Sequence, residues 1–118
     1  MENRRLVLPE HLNHFGFLFG GQLLRWVDEV AWIAASLDYP GCRLVTVGMD
    51  EVSFHKSVHK GTVLRFVTRR ARVGNTSVSY TVDVFGETIE TGQEAPVFTT
   101  GVTMVRVGEG GKKAPLPQ

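Results

Sequence analysis

Asp28 is the first residue that asks for a chemical explanation. It lies in the stretch LNHFGFLFGGQLLRWVDEVAWIAA, Leu12 to Ala35, where a glycine-punctuated loop runs into an apolar helical pattern. On a wheel of about 100° per residue, Gln22, Arg25, Glu29 and Ser36 share a narrow polar stripe. Arg25 and Glu29 stand four apart, so a surface pair between them accounts for Glu29. Asp28 falls outside the stripe, among Leu24, Ala31, Trp32 and Ala35. A carboxylate in apolar surroundings is costly unless partners or water satisfy it. Either backbone N–H groups or an interface partner satisfy Asp28, or it does chemistry. The loop before it adds a second group. Gly16, Gly20 and Gly21 permit close backbone approach and unusual dihedrals. A Gly-Gly that opens a helix leaves N–H groups at the positive helix end, where they can hold an anion or a developing oxyanion. Gly21 precedes Asp28 by two turns, roughly 10 Å along the axis. An acyl group lying along those turns could meet both.

The elements that must position these residues can be read along the chain. RRLVL, ended by Pro9, reads as an edge strand or arm. From about Gly20 to Leu37 the pattern is helical, and DYPGC stops it. RLVTVGMDEVSF alternates through Val45, Val47 and Met49 and then changes phase to Val52 and Phe54, which predicts a bulge near Asp50. TVLRFVTRRARV, the turn GNT, and SVSYTVDVF read as a long hairpin, with Val78, Tyr80, Val82 and Val84 on one face. GETIETGQEA reads as a long polar connection and PVFTTGVTMVRV as the last strand. The expected organisation is an α+β fold, with one domain over residues 1–107 and a flexible Gly-, Pro- and Lys-rich tail over 108–118. A helix apolar around most of its girth needs more cover than one sheet face gives. The sheet must wrap it, or a second subunit must close the other side.

Composition narrows the function classes. The chain has 118 residues, 42% hydrophobic and 21% charged, with thirteen basic against twelve acidic residues. That balance gives no reason to expect nucleic acid or an anionic membrane as partner. The single cysteine, Cys42, excludes an intrachain disulfide and reads as a small apolar residue. MENRR is not followed by a signal-peptide pattern, and no apolar run is long enough to span a bilayer, so a cytoplasmic location is expected. The pairs His11/His14 and His55/His59 lack the H-E-x-x-H spacing and cysteine partners of a zinc site, and solvated histidines are expected instead. Arg65 and Arg69 fall on one strand face and Arg70 and Arg72 on the other, with no RNA-binding signature around them. GEGGKK has no helix after it and so is not a phosphate loop.

Three segments together resemble a known family: LNHFGFLFGGQLLRWVDEVAWIAA, RLVTVGMDEVSFHKSV and RVGNTSVSYTVDVF. They are similar to the hot-dog-fold acyl-CoA thioesterases, in particular to bacterial acyl-CoA hydrolases of the YciA type and the cytosolic acyl-CoA thioester hydrolases of mammals. The likeness covers about residues 5–107, and its core is Asn13, Gly16, Gly20, Gly21 and Asp28. It implies a long central helix wrapped by an antiparallel sheet, two protomers joining their sheets, sites at the dimer interface, and trimers of such dimers. It implies hydrolysis of acyl-CoA to free fatty acid and coenzyme A with no metal or other cofactor. Asp28 would be the catalytic carboxylate, acting either as general base on water or as nucleophile through an anhydride. The N–H groups around Gly20 and Gly21 would polarise the thioester carbonyl, and Asn13 would position water or that carbonyl. Gly74, Asn75, Thr76 and Ser77 match a segment near coenzyme A, and Arg72, Lys112 and Lys113 could meet its phosphates. Phe15 and Phe17 stand where relatives carry polar residues, and Ser57 where FxxPV has proline. A non-catalytic acyl-CoA-binding module is the alternative, with Phe15 and Phe17 excluding the lytic water. A hot-dog dehydratase would need a histidine base, which the helix lacks.

Overall fold

The computed structural model describes residues 1–117; Gln118, the last residue of the expected tail, lies outside them. Five antiparallel strands form one sheet: β1 (Glu2–Leu6), β2 (Arg43–Phe54), β3 (Val63–Val73), β4 (Ser77–Glu87) and β5 (Glu94–Val107). Their spatial order is β1-β3-β4-β5-β2, so β1 and β2 are the edges. One long helix, α1 (Gly20–Asp38), packs on one face. This is the hot-dog architecture. Alternation decides which side chains meet the helix. Val78, Tyr80, Val82 and Val84 of β4 are all buried, as are Leu64, Phe66 and Thr68 of β3. From the helix, Leu23, Trp26, Val27, Val30, Ala31, Ala34 and Ala35 complete the core. Trp26 meets Phe66 edge-on at 6.4 Å between ring centroids.

The helix runs the length of the sheet. At its start, a Cβ on Gly20 would lie 3.4 Å from the Phe54 ring, at the end of β2. At its finish, the buried Tyr80 hydroxyl donates to Asp38 at 2.7 Å. Nineteen residues at 1.5 Å each separate those ends by about 28 Å. The phase change read near Asp50 is a register shift between Asp50 and Ser53, with Glu51 at φ 54°; a second shift lies between Thr46 and Gly48. Left-handed backbone at a non-glycine residue is strained and marks a built feature of the strand.

Four features differ from the sequence reading. Glu29 pairs not with Arg25 but with Arg5 of β1, at 2.6 Å, a contact between residues far apart in the chain. Ser36, expected on the polar stripe, buries its hydroxyl. The polar connection between the last two strands shrinks to 88–93, because β4 and β5 pair out to Glu87 opposite Glu94. The segment after Val107 folds back: the Ala114 N–H donates to the Arg106 carbonyl at 3.0 Å, and the Leu116 side chain joins the core at 6% exposure. Burying that one leucine is worth about 1.5–3 kcal/mol, which a composition of Gly, Pro and Lys conceals.

On the far face, Arg65 bridges Glu2 of β1 and both oxygens of Glu94 of β5, with Phe85 of β4 beneath it at 4.6 Å. The Arg65 hydrogen bonds hold the Glu94 carboxyl below its usual range. That contribution is present above the ordinary carboxylate pKa and is lost as pH falls through the lowered value.

Burial first, and then the bond to Asp38, raise the Tyr80 hydroxyl above its ordinary pKa. Its contribution is therefore fully present below about pH 10 and is lost as pH climbs beyond that. Tyr80→Phe is expected to lower stability by about 1–1.5 kcal/mol at neutral pH, read from denaturant midpoints at fixed protein concentration, with the gap closing in alkali. An unchanged midpoint at pH 7 would show that the hydroxyl ties nothing.

Candidate active site

The loop before α1 is built on Asn13. Its side-chain Oδ1 accepts the N–H groups of Phe15 at 2.9 Å and Phe17 at 3.1 Å, and its own N–H donates to the Phe17 carbonyl at 2.7 Å. Asparagine does this because its short amide mimics a backbone turn. Gly16, at φ 87°, supplies the left-handed residue that closes the loop. The loop then delivers Phe19, whose N–H donates to the His11 carbonyl, as the residue preceding the helix. No side chain caps that helix start. The first N–H groups of α1 are therefore left to solvent or to a ligand.

Gly20 and Gly21 have helical backbone, without the unusual dihedrals that glycine permits; the left-handed residue of this stretch is Gly16. What the pair provides is access. Nothing lies within 4 Å of where a Cβ on Gly21 would stand. A cleft of about 340 Å³ opens beside this helix start, lined by Asn13, Phe17, Gly20, Leu23, Phe54 and Val58 among others. Phe17 keeps its place through His59, whose ring it meets edge-on at 5.0 Å. Phe15 points away, 72% exposed.

Asp28 stands apart from that cleft. Half-buried on the β2 side of the helix, it accepts a hydrogen bond from the Thr46 hydroxyl at 2.5 Å. Trp32, one turn further on, donates its indole N–H to the Leu44 carbonyl at 3.2 Å. Both contacts fasten α1 to the edge strand β2. Sequence reading missed Thr46. The signal was available: it shares the inward phase of β2 with Leu44, which is buried, so a hydroxyl there faces the helix. In the sequence the Val45, Val47, Met49 alternation on the opposite phase is the more conspicuous.

The residues matched to coenzyme A gather at the other end of the molecule. Arg72 leads into the β3–β4 turn, where the Gly74 N–H donates to the Ser77 carbonyl at 2.7 Å and the Thr76 carbonyl accepts the Arg106 N–H at 2.9 Å. Asn75 uses its carbonyl on the Leu116 N–H at 2.8 Å. Lys112 and Lys113 are exposed and enter the segment that reaches this turn. Arg72 also borders an open groove of about 610 Å³ beside the Asp50–Ser53 bulge, with Asp50, Glu51 and Ser79. A single chain thus brings together Asn13, Gly20 and Gly21 at one helix end and the 72–77 turn with Lys112 and Lys113 at the other, with Asp28 between them.

Among the described residues no three His, Cys, Asp or Glu side chains converge as metal ligands, and His11 spends its Nδ1 as acceptor for the Leu8 N–H. No helix of the described residues is long and apolar enough to cross a membrane.

Comparison with known proteins follows the same outline. The family model described as "Thioesterase superfamily" matches residues 15–93. The chain is 32% identical over 114 residues to the uncharacterized acyl-CoA thioester hydrolase YkhA of Bacillus subtilis, covering 95% of this chain and 64% of that protein. Among solved structures it is similar to an apo-hexameric acyl-CoA thioesterase, with TM-score 0.91, 35% identity, and coverage of 100% of this chain and 75% of that one. It is also similar to the acyl-CoA hydrolase of Staphylococcus aureus in complex with butyryl coenzyme A, coenzyme A and coenzyme A disulfide, with TM-score 0.89, 27% identity, and coverage of 99% and 71%. Alanine variants of that hydrolase at an asparagine, an aspartate and a threonine have TM-scores of 0.89, 0.87 and 0.87 against this chain. The chain spans 64% or less of the curated relatives that head the comparison. A family match over most of the fold, on a sheet and helix arranged in this way, means that the chain belongs to the thioesterase superfamily.

Proposed function

We propose that the chain hydrolyses acyl-CoA thioesters, with Asp28 as the catalytic carboxylate. The observation that carries this is the Asp28 carboxylate, half-buried on a Gly-Gly-initiated helix and held, among the described residues, by the Thr46 hydroxyl alone. One hydrogen bond leaves acceptor sites on the carboxylate for a water or a thioester carbon. The S. aureus relative supports the assignment. The asparagine and aspartate altered in it stand fifteen residues apart, as Asn13 and Asp28 do here, and its threonine follows seventeen residues later, where Thr46 follows by eighteen.

The complete site is shared between two protomers. β2 has a strand on one side only, and Val45, Val47, Val52 and Phe54 along it are exposed. A long apolar edge of this kind is a template for a second strand. Antiparallel pairing of two β2 strands about a two-fold axis near their middle brings Thr46 and Asp28 of one protomer to the Ser53–Phe54 end of its partner. That end packs against Gly20 and the cleft. The hydrolytic site then takes Asp28 from one chain and Asn13, Gly20 and Gly21 from the other. Pairing is isologous, so two such sites form. Trimers of these dimers are part of the same reading.

In this arrangement the thioester carbonyl oxygen points at the free N–H groups of the first turn, which stabilise the charge that develops on it. Asp28 either removes a proton from the attacking water and passes it to the departing thiolate of coenzyme A, or attacks the carbon itself, expelling the thiolate and leaving an anhydride that water then hydrolyses. Asn13 braces the loop through Oδ1 and keeps its amide NH₂ for water or substrate. The nucleotide end of coenzyme A lies toward Arg72, Gly74–Ser77, Lys112 and Lys113. No metal or redox cofactor takes part, and a cytoplasmic location suits a chain whose single cysteine is unpaired. Of the two residues that motivate a water-excluding binding module, Phe15 is exposed in the single chain while Phe17 lines the cleft.

Asp28→Asn is expected to fold, keep its oligomeric state, and lose roughly 10²- to 10⁴-fold in kcat on acyl-CoA. Wild-type turnover in the folded variant would remove Asp28 from the mechanism. Thr46→Val is expected to cost about tenfold in kcat, because an unbraced carboxylate samples other rotamers. Equal rates would make the hydroxyl incidental. Val47→Lys sets like charges near the two-fold axis and is expected to yield monomer without activity by light scattering and assay. A fully active monomer would rule out a shared site.

A further inference from the structure

Beyond Lys112 and Lys113, the C-terminal segment has no task in the reaction above, yet it is tied down at several points. After Val107 the chain turns on itself, with the Gly108 N–H donating to the Lys112 carbonyl at 2.7 Å. Ala114 then bonds to Arg106, and the Arg106 guanidinium reaches forward to the Pro115 carbonyl at 2.8 Å. Leu116 ends the segment buried in the core, flanked by Pro115 and Pro117. Proline on both sides limits the conformations that the segment loses on docking and removes competing donors. The one N–H between the prolines, that of Leu116, is spent on the Asn75 carbonyl at 2.8 Å.

That acceptor is the middle of the β3–β4 turn. Its neighbour Thr76 is held from the β5 side by the Arg106 N–H at 2.9 Å. The two carbonyls of the turn are therefore fixed by β5 and by the C-terminal segment. The turn also closes on itself through the Gly74 N–H to the Ser77 carbonyl at 2.7 Å, and it is exposed at Gly74 and Asn75. Lys112 and Lys113, the two cations assigned to phosphate, enter the same segment and are located by its anchor.

We propose that Ala114–Leu116 is a strap whose buried leucine positions the Gly74–Ser77 turn, and so sets affinity for the phosphorylated nucleotide end of coenzyme A without touching the thioester. Leu116 is a positioning residue in this proposal, which rests on the acyl-CoA reading above. Its effect is confined to substrates that reach the turn. A thioester of pantetheine carries the reacting bond but lacks the nucleotide, so it does not sense the strap.

The test compares butyryl-CoA with butyryl-pantetheine on the full chain carrying Leu116→Ala, Leu116→Met, or no substitution, together with amide hydrogen exchange. Leu116→Ala is expected to raise KM for the CoA thioester by about tenfold, a difference of about 1.4 kcal/mol in binding. Its kcat should stay within about twofold and its kinetics on the pantetheine thioester should be unchanged. Exchange at Gly74 should quicken while helix-interior amides stay as in wild type. Leu116→Met should restore KM. If Leu116→Ala does not fold, Leu116→Val weakens the same anchor by less and is read in the same way. Equal losses on both substrates, or an unchanged KM with unchanged exchange at Gly74, overturn the proposal. If wild type hydrolyses neither thioester, the acyl-CoA reading fails, and the exchange measurement, which needs no substrate, still decides whether the strap holds the turn.

Discussion

The hydrogen bond from Thr46 to Asp28 joins the long helix α1 to the free edge of the sheet, and the proposed site depends on it. A carboxylate on the apolar side of a helix is a liability. Here it is half-buried and has one partner, a hydroxyl from the edge strand β2. One partner fixes its direction without exhausting its lone pairs. Because β2 is an edge, the same bond places the carboxylate where a neighbouring protomer would arrive. Trp32 reinforces this one turn later by bonding the β2 backbone. The helix is thereby registered against the strand on which dimerisation is proposed, and any slip between them would misdirect Asp28.

Length makes the second constraint. The helix start and the β3–β4 turn lie near opposite ends of a molecule 47 Å long. No flexing of a single β-sheet brings them together. A two-fold axis through the edge strand does, because it sets the start of one helix and the turn of the other protomer at the same end of the joined sheet. In the proposed dimer the fold divides labour: each chain would offer a polarising helix end to its partner and a carboxylate and nucleotide-binding turn to the other site. That division would also account for the exposed apolar residues of β2.

Much of this could be read from the residues. The helix limits, the long strands and the bulge near Asp50 follow from periodicity, because core-facing positions repeat at the period of the element they belong to; the hot-dog arrangement of the sheet was legible only through the family resemblance. Asp28 stood out for the same reason, as an exception to a period. Contacts between distant residues left no such mark. Glu29 pairs with Arg5, twenty-four positions away, in preference to Arg25 on its own helix. Thr46 is one hydroxyl in a strand of ordinary composition. Leu116 is a single apolar residue in a tail whose other members suggested disorder. Asn13 was legible as a loop residue, but its bracing of Phe15 and Phe17 required knowing how the loop closes. Local pattern identified the elements; long-range pairing had to be seen.

The central claim is that each site combines Asp28 of one protomer with the helix start of the other. Complementation measures it directly. Asp28→Asn removes the carboxylate, and Gly21→Phe puts a ring into the space beside the first turn, where a Cβ meets nothing within 4 Å. Each variant alone should be inactive. Mixed dimers, made by co-expression and purified through two tags, carry one intact site and one doubly altered site. The purified mixed dimers should therefore recover about half of wild-type activity on acyl-CoA. Mixed dimers with no activity above either parent would contradict a site shared across the interface.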